Sequence, residues 1–385
     1  MGIIKRSSAS RLVGWFALLA VLLSAISVTA YAMTRSGAPK PPKRSLASAV
    51  HAALSDRPVA GVSAQFTIDQ NLLGAKSSTI SASPLQGATG SVWVGGGHVR
   101  LEIKSQLGTT ELAFDGHQLM LYDRKHHVAY ELPVSHRAET HKAPAVPTIA
   151  AINQALAKVG REAILSGAIP SNIAGRKAYD VRMSPRRNGG LFGAFELAWD
   201  AAHRVPLRFA VYPRGSSTPA IAVTVTHIQY GPVASAQLTL VPATGTRIVH
   251  VHLPSRSELH SDAKHAAPAT GPAAVARAVG FRLAAPATLA GLPRGEVRSA
   301  NLGKSPAALV TYGQGLGTVF VLEQRAASGH SPLGSLPSAS INGTRGHELD
   351  TTLGSLVQFT RNGVTYTILG SQPAATIMTA AQSLA

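Results

Sequence analysis

Histidine is the one over-represented titratable residue type, with fifteen in a chain that holds only 18 aspartates and glutamates. His250-Val251-His252 puts two imidazoles on one face of an extended segment, a spacing that fits a metal pair. His126-His127 falls at a turn beside Arg124 and Lys125, and His136 and His141 lie in a polar loop. A metal site needs further donors, and no third histidine or carboxylate cluster can be placed beside these pairs from the sequence. They read as a solvated strand face and polar loops, and no metal ligand is assigned. Ser261-Asp262-Ala263-Lys264 satisfies the S-x-x-K spacing of a serine nucleophile with its lysine base. It sits in a polar stretch without a Lys-Thr-Gly partner, so it reads as a chance match.

Other chemistry is excluded more directly. Cysteine is absent, which removes disulfides, thiolate zinc sites, thiol catalysis and a lipidated N-terminal cysteine. No phosphate-binding glycine loop, G-x-S-x-G elbow, H-E-x-x-H pair or calcium loop occurs. The acidic residues are few and scattered. The sequence therefore names no catalytic residue and no cofactor, and an enzyme is not expected. The formal charge is +18. Seven of the basic residues fall within residues 1–44, which hold no acid, and the others are spread singly or in pairs such as Arg186-Arg187. No basic helix or aromatic-interleaved basic run is present, so nucleic acid is not an expected partner. An anionic membrane surface suits this charge better, beside plain solubility.

The elements that would position a site begin after a leader. Leu12 to Met33 is an uncharged apolar run of 22 residues preceded by Lys5, Arg6 and Arg11, long enough to span a bilayer core of roughly 30 Å. It reads either as a single-pass anchor or as a signal peptide cleaved after Ala30-Tyr31-Ala32. Both readings send the rest of the chain out of the cytoplasm. Residues 1–33 are thus an anchor or signal segment, and 34–45 a Pro/Lys-rich linker. Residues 46–254 form a first folded unit, 255–272 a polar linker and 273–385 a second, small unit of helices and strands.

The first unit opens on a short helical pattern, Leu46, Val50 and Leu54, and then changes to period two. Val62, Ala64, Phe66 and Ile68 alternate with polar neighbours, as do Val99, Leu101 and Ile103. Leu112 and Phe114 follow, then Leu119 and Leu121. Phe195, Leu197 and Trp199 alternate with Glu196, Ala198 and Asp200; Leu207 and Phe209 belong to the next such run, and Val223 to the one after. This pattern predicts antiparallel strands with one apolar and one wet face. One helix is predicted over roughly 148–159, with Ile152 and Leu156 on its apolar side. The second unit reads as α/β in small pieces: a short helix at 275–279, strands over 307–312, 317–323, 354–360 and 363–370, and a closing helix from Pro373. A large sheet must cover its apolar face, and two modest helices offer little cover. Either the sheet folds on itself, or a partly uncovered apolar concavity remains, lined by the residues just named and suited to an acyl chain.

The stretch TGSVWVGGGHVRLEIKSQLGTTELAFDGHQLMLYDRKHHVAYELPV (89–134) resembles the strand series of the LolA-like lipoprotein-carrier superfamily. IAGRKAYDVRMSP (173–185), GGLFGAFELAWDAAHRVPLRFAVYPRG (189–215) and VTHIQYGPV (225–233) are similar to an actinobacterial branch of that group. FRLAAPATLAGLPRGEV, ALVTYGQGLGTVFVLE and VTYTILGS resemble the domain appended in the same branch. The two-domain plan is also similar to that of the MucB/RseB sigma-factor regulators. The resemblance implies an α+β protein, an incomplete antiparallel β-barrel wrapped over helices, that binds a lipid or lipoprotein acyl chain in its hollow. It equally implies an alternative: an envelope-stress sensor acting on a membrane-embedded anti-sigma regulator. A retained anchor would restrict long-range shuttling and favour local lipid handling or sensing at the cell membrane.

Overall fold

The computed structural model describes residues 39–55, 59–73, 85–134, 146–251, 269–302, 305–326, 333–334 and 336–385. The apolar run at 12–33, the loop histidines His136 and His141, His252, and the Ser261/Lys264 pair lie outside them. Among the described residues no helix is long and apolar enough to cross a membrane.

The first unit starts with helix α1 (Leu46–Ser55) and a meander of six strands: β1 (Gly61–Gln70), β2 (Ala88–Gly95), β3 (His98–Ser105), β4 (Gly108–Phe114), β5 (Gln118–Asp123) and β6 (Val128–Pro133). Helix α2 (Ile149–Glu162) follows, capped by the Thr148 side chain, which accepts the Ala151 N–H. Then come β7 (Ala163–Leu165), β8 (Ile169–Ile173), β9 (Arg176–Pro185), β10 (Phe192–Asp200), β11 (Pro206–Pro213) and β12 (Ile221–Tyr230). A four-residue turn of helix, α3 (Ser235–Leu238), and β13 (Arg247–His250) complete the unit. The strands form one sheet in the order β13-β6-β5-β4-β3-β2-β1-β12-β11-β10-β9-β7, with β8 also on β9. The two meanders meet where β1 pairs with β12, and the edge strands β13 and β7 do not pair with each other. A sheet this wide has to coil, and bulges in β1 at Gln65/Phe66 and in β10 at Ala198/Trp199 add bend. The result is the incomplete barrel that the resemblance implies, antiparallel except where β13 pairs with β6 in parallel.

The second unit contains α4 (Pro272–Val279), β14 (Thr288–Leu289), β15 (Leu292–Leu302), β16 (Ser305–Tyr312), β17 (Val319–Arg325), β18 (Ser338–Ile341), β19 (Thr344–Thr351), β20 (Gly354–Arg361), β21 (Val364–Gly370) and the closing helix α5 (Ala374–Leu384). Its eight strands run in the order β14-β15-β16-β17-β21-β20-β19-β18, and every pairing is antiparallel. The α/β reading of this unit is therefore corrected. Parallel pairing needs a long crossover, whereas Asn342-Gly343 and Asn362-Gly363 are two-residue turns with φ of 46° and 80°, and 49° and 73°. Left-handed backbone at both turn positions selects a tight hairpin. Val275, Val279, Ile377, Ala380 and Ala381 pack the two helices onto one face of this sheet.

The units touch through the β9–β10 hairpin. Leu191 N–H donates to the Ser371 carbonyl at 2.9 Å, and Gly317 N–H donates to the Asn188 carbonyl at 2.6 Å. The segment after β1 adds a second contact, with Thr352 N–H donating to the Leu72 carbonyl at 2.8 Å. A cleft of about 600 Å³ opens at this junction between Arg214, Leu292 and Pro373.

Candidate functional site

The strand register assembles the apolar face one row at a time. Val62 lies opposite Val94, Val94 opposite Val99, Val99 opposite Phe114, Phe114 opposite Leu119 and Leu119 opposite Leu132. A second row runs Ala64, Val92, Leu101, Leu112, Leu121, Tyr130. Toward the other meander, Ile68 faces Val223, Val223 faces Phe209, Phe209 faces Leu197 and Leu197 faces Val181. Cross-strand partners share a face, so these predicted residues sit on one side of one sheet. Gly90 makes room in the third row: a side-chain carbon there would fall 2.2 Å from Phe66 Cζ, so the ring lies flat on the glycine.

The face divides into three parts. Val62, Ala64, Phe66, Ile68, Leu101, Ile103, Leu112, Leu119, Leu121 and Leu207 are buried in one cluster, with Phe114 and Val223 half-buried against it. Each such aliphatic or aromatic side chain contributes roughly 1.5–3 kcal/mol on burial. At the β9–β10 end, Tyr179 and Trp199 are buried under α1 with Ala49, and Leu197 packs there too. On β10 and β11, Phe195 and Phe209 meet edge to face at 4.8 Å and stay half-buried, as does Val99. Among the described residues, helix cover reaches only the Tyr179–Trp199 end. Of the helical residues proposed as lining, Ile152 is buried and Leu156 half-exposed, and neither joins the cluster on the sheet. The reason is that α2 packs on α1 and β7 instead.

The opposite face of β10–β12 corrects a second expectation. Alternation assigned it to solvent, yet Ala194, Ala210, Ala222, Glu196, Arg208 and Thr224 are all buried. Arg208 pairs with Glu196 and donates to the Tyr212 hydroxyl at 2.7 Å. Arg182 lies over the Tyr212 ring at 4.2 Å. Burial, and then the charge of nearby Glu196, pushes the Asp180 carboxyl up to about 7. Ion pairing satisfies groups that period two alone would have left wet. Two further paired carboxylates brace the sheet. Glu111 is buried between Arg100, at 2.7 Å, and Arg124. Asp200 is held by Arg176 at 2.9 Å and the Tyr230 hydroxyl at 2.8 Å. Burial raises the Asp200 carboxyl, but Arg176, two backbone N–H groups and Tyr230 outweigh it and hold it low. The sequence carried one faint sign of such pairs, opposite charges on neighbouring strands, and spacing alone did not align them.

Of the histidine pairs, His250 and His126 each meet a single carboxylate. His250 Nδ1 lies 3.0 Å from Glu131 across the β6–β13 ladder, and His126 Nδ1 lies 2.7 Å from Asp123. Among the described residues no group of three or more His, Asp or Glu side chains converges.

No family model and no curated protein matches the chain. Among solved structures it is similar to MucB of Pseudomonas aeruginosa in its complex with MucA. That likeness covers 87% of this chain and 96% of that one, at 17% identity and a TM-score of 0.42. A LolA superfamily protein from Nitrosomonas europaea matches 51% of this chain and 99% of its own, at 10% identity and a TM-score of 0.23. A protein from Thermus thermophilus matches 54% of this chain and 97% of its own, at 13% identity and a TM-score of 0.33. Both groups that the sequence resembles are thus met, and at these scores the likeness carries no functional argument.

Proposed function

We propose that this chain is an extracytoplasmic binding protein, tethered to the membrane through residues 12–33, whose first unit holds a lipid or lipoprotein acyl chain against the apolar face of its large sheet. One observation carries the reading. Among the described residues an apolar face runs continuously across the sheet; its centre is packed by its own side chains, helices reach it only at the Tyr179–Trp199 end, and a strip between them keeps part of its surface exposed. Phe195, Phe209, Val223 and Phe114 are the half-buried floor against which a hydrocarbon tail would lie. Each methylene buried there contributes about 0.8 kcal/mol, so a single chain reaches useful affinity by apolar contact alone. Native mass spectrometry of protein purified from membranes, together with titration of a fluorescent fatty acid, tests it. Co-purifying lipid and saturable probe binding are expected; a body without either overturns the reading.

A second reading, docking of a membrane-embedded regulator on the second unit, is favoured by a different observation. Phe320 and Leu369 face each other across β17 and β21, and each is 39% exposed. An exposed apolar pair joined across two strands suits a protein partner. Loss of a specific membrane partner from pull-downs with full-length Phe320→Asp supports this reading; unchanged capture overturns it.

A further inference from the structure

We infer that the rim formed by α2, β7 and β8 rests on the bilayer, against anionic lipid headgroups; this builds on the tethered reading above. Helix α2 is fourteen residues long, yet only Ile152 is buried, while Ile149 and Val159 stay exposed. A helix of this length ordinarily gains its stability by burying an apolar face. The exposure continues past its end: Ile164 on β7 is 52% exposed and Ile169 on β8 is 49% exposed. Ile164 pairs with Ser184 and Ile169 with Asp180, four residues apart on β9, so both isoleucines lie on the same side of one sheet edge, about 13 Å apart.

Two further observations select a lipid surface as the occupant. The first is the path of the chain from the apolar run. Asn172 Nδ2 donates to the Pro39 carbonyl at 2.9 Å, and the Tyr179 hydroxyl donates to the Pro42 carbonyl at 2.7 Å. The polypeptide is thus fastened to β8 and β9 at this edge of the sheet, on the face that carries Asn172 and Tyr179, opposite the one that carries Ile164 and Ile169. Pro39 lies six positions beyond Met33, with five residues between them, which allows a span of at most about 20 Å. A body on so short a leash meets the bilayer with this rim, and the tether supplies a high effective concentration.

The second is charge. Residues 146–169 carry Lys158 and Arg161 against the single acid Glu162. Arg186 closes the end of α2 by donating to the Gly160 carbonyl at 2.6 Å, and Lys177 and Arg187 are exposed nearby in sequence on β9 and its hairpin. Exposed aliphatics among cations are the composition of an interfacial surface on anionic lipid.

The natural chain has no cysteine, so single labels are simple to place. Full-length Ile164→Cys, Ile169→Cys and, as a control on the β3–β4 turn, Leu107→Cys would carry an environment-sensitive fluorophore in nanodiscs containing phosphatidylglycerol. The labels at 164 and 169 should shift to the blue and be quenched by nitroxide-bearing lipid, and lose both effects in discs of phosphatidylcholine alone. The label at 107 should behave as in water. Labels at 164 and 169 as water-exposed as that control overturn the proposal. Shielding of the same labels in lipid-free amphipathic polymer also overturns it, because a protein partner or second copy then covers the rim. So does an intact mass showing 12–33 removed from the mature protein. A fatty-acid titration on the same discs keeps the two readings apart: lipid contact at 164 and 169 without probe binding sinks the acyl-chain reading alone.

Discussion

Gly190 lies flat against Ser371: a side-chain carbon at Gly190 would fall 1.8 Å from the Ser371 carbonyl oxygen. The next residue, Leu191, donates its N–H to that oxygen at 2.9 Å. Gly190 also has φ of 59°, in the left-handed region. One hairpin of the first unit is therefore keyed into the second by a residue that can carry no side chain. Gly190→Ala should force the units apart while leaving each core intact. Calorimetry should then resolve two separate transitions, and small-angle scattering a larger radius of gyration. A single, unshifted transition would remove this contact from the interface.

Glu323 gives the second unit a pH dependence of defined sign. Its side chain is fully buried on β17, with one oxygen accepting the Ala284 N–H at 2.9 Å and the other without a partner among the described residues. Burial pushes this carboxyl from 4.5 up to about 7, against the smaller downward pull of the Ala284 hydrogen bond. The folded state keeps a proton that the unfolded state has lost, so stability is full below about pH 4.5 and falls as pH rises toward 7. Glu323→Gln should remove that slope, raising stability at pH 8 by on the order of 3 kcal/mol and leaving pH 4 unchanged. Urea titrations at the two pH values test it; parallel pH profiles for the two proteins would contradict the assignment.

Trp199 anchors α1 through Ala49 and sits 6.1 Å from the Tyr179 ring. Its indole N–H is buried with no acceptor among the described residues. Trp199→Phe deletes that unpaired donor along with some volume, so the net cost should stay within about 1 kcal/mol. Trp199→Ala should cost about 3–5 kcal/mol through the cavity it leaves under α1. Equal losses in the two variants would mean that the N–H has a partner.

Val223 sits between Ile68 and Phe209 on the open part of the apolar face. Val223→Trp would occupy the space assigned to a hydrocarbon tail and should weaken fatty-acid probe binding about tenfold or more, equivalent to about 1.4 kcal/mol. Undiminished probe affinity in a folded variant would place the ligand elsewhere.

Arg100 and Arg124 hold the fully buried carboxylate of Glu111. Arg100→Met strips one partner from a buried charge and should destabilise the first unit by about 3–5 kcal/mol, whereas the double replacement Arg100→Met with Glu111→Leu should recover most of the loss. A denaturant double-mutant cycle without such coupling would show that the pair is energetically idle.

Much of this architecture was legible in the residues because period two is a local property. The choice of Val62, Ala64, Phe66 and Ile68 as one face depends only on a strand forming, and the ladder then brings Val94, Leu101, Leu112 and Phe209 to the same side. The Asn362-Gly363 hairpin was readable for the same reason, since its left-handed backbone is a preference of those two residue types. Helix α2 marks the limit. Its spacing announced a helix with an apolar side, but where that side would pack depended on α1, distant in the chain, and on the course of β7.

The sequence by itself determined where strands and turns fall, which side chains share a face, and that thiol chemistry is absent. Those outcomes follow from local stereochemistry and composition. Only the tertiary structure decided that Glu196 and Arg208 are buried together, that Gly190 meets Ser371, and that Ile164 and Ile169 are left bare on one edge. Burial is a property of what lies opposite in space, and the coiling of a thirteen-stranded sheet sets those neighbours across distances that no local pattern encodes.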